Sequence, residues 1–290
     1  MKFITSYFSG LISALKNIKI LLVIYFIAFI LALIIASAFK SAIANATGSS
    51  MALLTMLKDF DYSTYSNFMH LFRDTISPLI KVAFLFGIFY SIFSIFFSGG
   101  IISKLCKKSG RTSLSIFWAD SWAYFWRFLR LFIYILILQF IVVLLVYLPV
   151  SAIISSIGDS VQSEATYFYI AITGVIIHLF LIITLVLVSD YAKIMIVNNE
   201  SFRPFRTILR AFAFIFKHFF SVYSLSIFYI LTGVLLFIIY FFLNDKIGMS
   251  SGFTILLMFI IQQLFILSRL FLKISVYGGE IVLFKKISIL

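Results

Sequence analysis

The chain has 290 residues, 63% of them hydrophobic and only 11% charged, with a mean hydropathy of +1.17. A water-soluble domain carries roughly 25% charged residues because its surface must be wetted, so 10 acids and 23 bases cannot cover a soluble protein of this size. A soluble fold is thereby excluded, and the net charge of +13, which in a soluble protein would suggest nucleic acid, needs a different origin.

About 20 consecutive apolar residues are needed for a helix to cross a bilayer. Six segments qualify, at about 20–39, 79–98, 128–153, 168–189, 219–243 and 253–273. Backbone groups in lipid must be satisfied within their own segment, which makes these spans helices. An all-α membrane fold is expected, with six spans arranged as three hairpins in one domain over 1–290.

In chain order, an amphipathic stretch at 3–19 precedes the first span. Its lysines, the apolar run and Ala36-Ser37-Ala38 also fit a cleavable signal peptide. The run is long for that, and the basic region before it is extended, so a retained span is expected. The first outer connection, about 40–78, is the longest and holds Asp59, Asp61, Tyr62 and Tyr65. Asn45-Ala46-Thr47 matches a glycosylation acceptor, which matters only in a eukaryotic secretory pathway. Ala28, Ala32 and Ala36 on span one and Gly87, Ser91, Ser94 and Ser98 on span two form small-residue faces. Such faces let helices approach closely, so these two spans are expected to associate, with oligomerisation as the alternative. Cys106 is the only cysteine, so there is no intramolecular disulfide or thiolate metal cage. It lies between Lys104 and Lys107, and an inert thiol is expected.

A second amphipathic stretch, 113–130, precedes span three. Trp118, Trp122 and Trp126 recur every four residues and line one face, beside Arg127 and Arg130. Tryptophan concentrates at headgroup level, where an apolar ring with one N–H donor is best accommodated. The stretch therefore reads as a membrane-surface anchor or, more sharply, as an aromatic platform for a lipid headgroup or a partner helix. Gly158-Asp159-Ser160 reads as a turn, and a third stretch, 205–217, precedes span five. Aligning Lys16, Arg127 and Lys217 brings Gly10, Ser121 and Ala211 into register. This suggests three copies of one unit: interfacial helix, span outward, span inward.

Lys and Arg counts set the orientation. The N-terminus, the connections between spans two and three and between spans four and five, and the C-terminus together hold 18 of the 23 bases. Ten acids divide four to six, leaving one face at net +14 and the other at −1. Both termini are expected in the cytoplasm, and the excess of positive charge is a topological signal.

Charges inside a bilayer cost about 2.5–3.5 kcal/mol each on insertion scales. Asp190, ending span four, and Arg269, near the inner end of span six, are expected to form an ion pair between these spans, with a proton or ion site as the alternative. Gln262, Arg269, Lys273 and Glu280 make a polar stripe spaced seven, four and seven on span six. Gln139, His178 and Gln262 are candidates to line a polar cavity at mid-membrane depth. There is no Walker loop, HExxH, dinucleotide fingerprint or GxSxG elbow. Neither catalysis nor a cofactor or metal is expected.

Ser98-Gly99-Gly100-Ile101-Ile102 closing span two, Ser189-Asp190-Tyr191-Ala192-Lys193 closing span four and Gln262-Gln263 before Arg269 carry a resemblance. The chain resembles a broad group of uncharacterised bacterial six-helix membrane proteins. These are similar in layout to the membrane domain accompanying some glycerophosphodiester phosphodiesterases. The sequence lacks the carboxylate-rich metal site of the phosphodiesterase itself, so the resemblance implies a bacterial inner-membrane location and no hydrolase activity. The expected role is non-enzymatic organisation of anionic lipid, a membrane-protein partner or a second copy at the cytoplasmic leaflet. A small-solute transporter or permease subunit is the alternative.

Overall fold

The computed structural model describes residues 2–47, 61–107, 114–157, 164–199, 202–247 and 251–288. Nine helices run through these residues: α1 (Lys2–Lys16), α2 (Ile18–Thr47), α3 (Tyr62–Leu71), α4 (Arg73–Lys107), α5 (Leu114–Ile157), α6 (Glu164–Asn198), α7 (Pro204–Lys217), α8 (Phe219–Lys246) and α9 (Gly252–Ser288). Lys58, Asp59, Lys108, Arg111, Ser113, Gly158-Asp159-Ser160 and Glu200 lie outside the described residues, as do the side chains of Asn45-Ala46-Thr47.

Six helices, α2, α4, α5, α6, α8 and α9, are long and apolar enough to cross a membrane. They contain the six predicted spans and exceed them in length. Between 6% and 22% of their most apolar windows is buried by protein, so these side chains are left to lipid. At 1.5 Å per residue, the 44 residues of α5 measure about 66 Å, against about 30 Å of hydrocarbon. In α4, α5, α6 and α9 most of the excess length lies at the lysine- and arginine-rich ends, and the protein core gathers there. Phe128, Tyr191, Ile194, Ile208, Ile215 and Leu283 are fully or almost fully buried, whereas Phe84, Leu145 and Leu231 in the spans are exposed.

The chain divides into two units, Leu22–Ser94 and Met1–Leu21 with Ile95–Leu290. In the larger unit α1 runs antiparallel along the last third of α9: Lys286 donates to the Thr5 hydroxyl at 2.6 Å, and Gly10 and Ser13 face Gly278. α8 packs on both α1 and α9, α5 on α6, and α7 across α6 and α5. Lys285 donates to the Cys106 carbonyl at 2.8 Å, satisfying an acceptor at the C-terminal end of α4.

In the smaller unit Asp61 caps α3, accepting from the amides of Ser63 at 3.1 Å and Thr64 at 3.0 Å. These bonds and the Thr64 hydroxyl, the largest contributor, hold its carboxyl below the usual 3.8. The small-residue seam of spans one and two does not close here. Ala32 and Ala36 are exposed, and nothing lies within 4 Å of a Cβ built on Gly87.

Two of the three amphipathic stretches are separate helices, α1 and α7, set off from their spans at Asn17 and His218. The second is not. It runs unbroken into span three as the first turns of α5, correcting the expectation of an interfacial helix before every hairpin. Phe128 stands at the register position of Asn17 and His218 and is fully buried, so packing carries the helix through where a polar residue breaks it elsewhere.

Candidate functional site

The three stretches dock alike. Gly10 and Ser121 each lie against the basic end of an even-numbered span, and Ala211 is fully buried on α7, which packs on α6. Ser121 of α5 meets Gly99 and Gly100 of α4, where a Cβ on Gly99 would lie 3.3 Å from the Ser121 carbonyl. Gly10 of α1 meets Gly278 and Gly279 of α9, 2.7 Å separating its notional Cβ from the Gly279 amide. α7 packs on α6, with Ala211 and Ala192 both fully buried. Ser121 and the helix of Ala211 thus follow the preceding span, while Gly10 takes the last one.

Opposite each buried stripe lies an exposed flank. Five residues beyond Gly10, Ser121 and Ala211 stand Leu15, Trp126 and Phe216, exposed by 58%, 57% and 61%. The next residues are the bases Lys16, Arg127 and Lys217. On α7 the exposed Phe205, Leu209 and Phe216 form one flank and Arg206, Arg210 and Lys217 the neighbouring one, the division an interfacial helix requires. On α5, Trp118, Trp122 and Trp126 form the exposed flank. Trp118 leans on Phe96 at 5.8 Å between centroids, and Trp122 stacks on Phe125 at 6.2 Å. Arg130 is exposed. Arg127 is engaged internally, its guanidinium 3.8 Å from the Phe202 ring centroid and 5.4 Å from that of Tyr124. It joins α5 to the segment leading into α7 and is a packing group.

Behind these helices α6 and α9 enclose a polar cluster. Lys193 donates to Asp190 at 2.8 Å, both side chains mostly buried. This corrects the expected pair between Asp190 and Arg269. Lys193 is three residues along the same helix and reaches Asp190 without any alignment between helices, while Arg269 points outward and is exposed. Lys273, one turn beyond Arg269, is the α9 base in the field of this pair. Lys193 also stands 5.8 Å from the Tyr277 ring centroid. Tyr229 of α8 donates to the Ser275 carbonyl at 2.8 Å, and Tyr7 of α1 bonds Thr232 at 2.8 Å. Tyr191 and Glu280 are buried at 0% and 3% exposure, and neither the Tyr191 hydroxyl nor Glu280 Oε2 has a hydrogen-bond partner among the described residues.

Of the predicted polar cavity, Gln139 and His178 come together, their Nε2 atoms 3.3 Å apart, and Tyr147 covers the imidazole at 5.2 Å. Gln262 forms no hydrogen bond with either. A cavity of about 540 Å³ between α5 and α6 is lined by Leu145, Val146, Pro149, Ile153, Ile170 and Ile177 among others, with Thr166, Tyr169 and Thr173 supplying its polar atoms. Gln139, His178 and Gln262 are not in its lining.

Sequence reasoning missed Tyr191, Lys193 and Tyr277. The signal was present in the Asp190–Lys193 spacing and in the stripe that ends at Glu280. Among the described residues no three His, Cys, Asp or Glu side chains gather to hold a metal. No family model, curated protein or solved structure matches the chain. Its six long apolar helices mark it as a multi-pass integral membrane protein.

Proposed function

We propose that this chain is a non-enzymatic multi-pass protein of the bacterial inner membrane, with both termini in the cytoplasm, that organises anionic lipid at the cytoplasmic leaflet. The observation that carries this reading is the repeated flank. Leu15, Trp126 and Phe216 occupy one register position on three stretches and are exposed to the same extent, followed on α1 and α7 by the exposed bases Lys16 and Lys217. The contacts of Gly10 and Ser121 and the burial of Ala211 fix the rotation of each stretch, so the apolar flank is held outward. A ring at the acyl–headgroup boundary with cations beside it suits a phosphate headgroup, each base contributing about 1 kcal/mol at an anionic surface.

The test is lipid analysis of the purified protein against the bulk membrane. Enrichment of anionic phospholipid, reduced in a variant carrying Arg206→Gln, Arg210→Gln and Lys217→Gln, supports the reading. Retained lipid of bulk composition counts against it. The transport alternative draws on the Gln139–His178 bond, but the neighbouring cavity is apolar in most of its lining and offers an acyl chain more than a solute.

A further inference from the structure

α5 and α6 meet at Gly174, where an added Cβ would lie 2.8 Å from Val150 Cγ2. So close an approach fixes the two helices against each other, and Gly174 and Val146 are buried at the floor of the cavity of about 540 Å³. Leu145, Pro149, Ile153 and Ile177 stand exposed as its walls. Its lining lies in the half of each helix away from the bases Arg127, Arg130 and Lys193. On α6 it runs from Thr166 to Ile177, about 16 Å of helix, which is close to half of the roughly 30 Å hydrocarbon layer. It stops one residue short of His178, whose bond to Gln139 ties α6 to α5 at that depth. The polar atoms are unevenly placed. Thr166 and Tyr169 stand at the shallow end, the Thr173 hydroxyl is engaged by the Tyr169 carbonyl at 2.8 Å, and the deeper lining is Leu, Val, Ile and Gly.

We propose that this groove seats one acyl chain of a phospholipid from the leaflet opposite the basic ends, with the Tyr169 and Thr166 hydroxyls donating to its ester oxygens. A groove one leaflet deep, apolar below and hydroxylated at its mouth, has the polarity profile of that ligand. Tyrosine at the mouth suits the interface, where an apolar ring with a polar tip is best accommodated. A helix from a partner or a second copy would run the full depth of the bilayer and gives no reason for hydroxyls at one end. A free fatty acid would bring a carboxylate, and the lining holds no cation to meet it. This site lies at the other end of the spans from the basic flank and does not depend on that flank binding lipid.

The experiment is photolabelling of the full chain in mild detergent, which dilutes loosely associated lipid. A phosphatidylcholine with a diazirine midway along one chain is titrated in, and labelled peptides are mapped by mass spectrometry. Labelling of 145–153 and 166–177 should saturate at one lipid per chain and be displaced by unlabelled phosphatidylcholine. Labelling around the exposed Leu231, Phe237 and Phe241 of α8 should rise in proportion to the lipid added. Thr173→Trp fills the groove and should remove the saturating component, whereas Ile176→Trp, on the exposed surface of α6 but outside the lining, should leave it intact. Tyr169→Phe removes only a hydroxyl from an exposed ring and should weaken half-saturation roughly two- to tenfold, the worth of one hydrogen bond. Proportional labelling throughout, or saturation that survives Thr173→Trp, overturns the proposal. So does a diazirine fatty acid that saturates the groove as readily as the phospholipid, or a chain-to-chain crosslink from benzoylphenylalanine at position 173, which would give the groove to a protein helix.

Discussion

Gly10 of α1 and Gly278 of α9 lie in direct backbone contact, a Cβ on Gly278 falling 3.1 Å from the Gly10 Cα and 3.0 Å from the Ser13 Cβ. The approach is closer still on the other side. A Cβ on Gly10 would run into the Ser275 carbonyl and the Tyr229 hydroxyl, and would come within 2.7 Å of the Gly279 amide. Two of those three neighbours are backbone atoms that no rotamer change can move aside. Gly10→Ala is therefore expected to destabilise by about 1–3 kcal/mol, the range of overpacking, and to expose α1 to limited proteolysis. Gly87→Ala, where the added Cβ meets nothing within 4 Å, is the control and should change stability by at most about 1 kcal/mol, in the favourable direction. Equal losses in the two variants would argue against the tight α1–α9 contact.

Asp190 and Lys193 form a mostly buried pair, and removing one member of such a pair strands the other. Asp190→Asn or Lys193→Met alone should cost about 3–5 kcal/mol, with the double variant recovering part of the loss. Arg269→Gln should stay within about 0.5 kcal/mol of wild type. A double-mutant cycle between Asp190 and Arg269 should show no coupling beyond the usual error of additivity. Unfolding in mild detergent measures all of these. Strong coupling to Arg269 and none to Lys193 would restore the pairing expected from span depth.

The reason that pairing was misjudged is physical. Hydropathy reports how deep a residue lies but not how its helix is rotated, and depth alone made Asp190 and Arg269 neighbours. The stripe Gln262, Arg269, Lys273 and Glu280 was legible as one helical face, yet Arg269 is exposed and Glu280 buried. The face is the same; its cover changes along the axis, because α1 flanks only the last third of α9. Six spans could be read because lipid demands apolar side chains on every face. Register between Gly10, Ser121 and Ala211 could be read too. That Gly10 and Ser121 would dock on the basic end of an even-numbered span could not, because the partner glycines Gly99 and Gly278 look like any turn or packing glycine in sequence. Asn17 and His218 against Phe128 did carry the helix breaks, as polar against apolar residues at one position.

His218, at the junction of α7 and α8, gives a pH prediction. Partial desolvation, with the charges of Lys217 and Lys2, holds its imidazole below the usual 6.5. Protonation is thus harder in the folded protein than in the unfolded chain. The sign follows from linkage: below 6.5 the unfolded state takes up the proton first, so the stability present above that pH is lost as the pH falls toward the folded value. The residue is partly exposed, and solvent screening keeps the effect small. His218→Gln should flatten the acid side of the midpoint–pH curve and leave its alkaline side parallel to wild type. An acid limb of unchanged slope would remove His218 from the account.

The three tryptophans are the only ones in the chain, so fluorescence reports on the first turns of α5 alone. Trp118, Trp122 and Trp126 share an exposed flank that meets α4 through Trp118 and Phe96, with Trp122 and Trp126 the more open pair. If that flank lies at the acyl–headgroup boundary, lipids brominated near the headgroup should quench emission more than lipids brominated near the chain end. Aqueous iodide should quench weakly. Trp126→Phe should lower the shallow quenching without moving the unfolding midpoint, because the ring is mostly exposed and contributes little to the core. Quenching dominated by iodide would put the flank in water, and quenching strongest from the chain ends would put it in the bilayer centre; either result removes the aromatic platform from the leaflet surface.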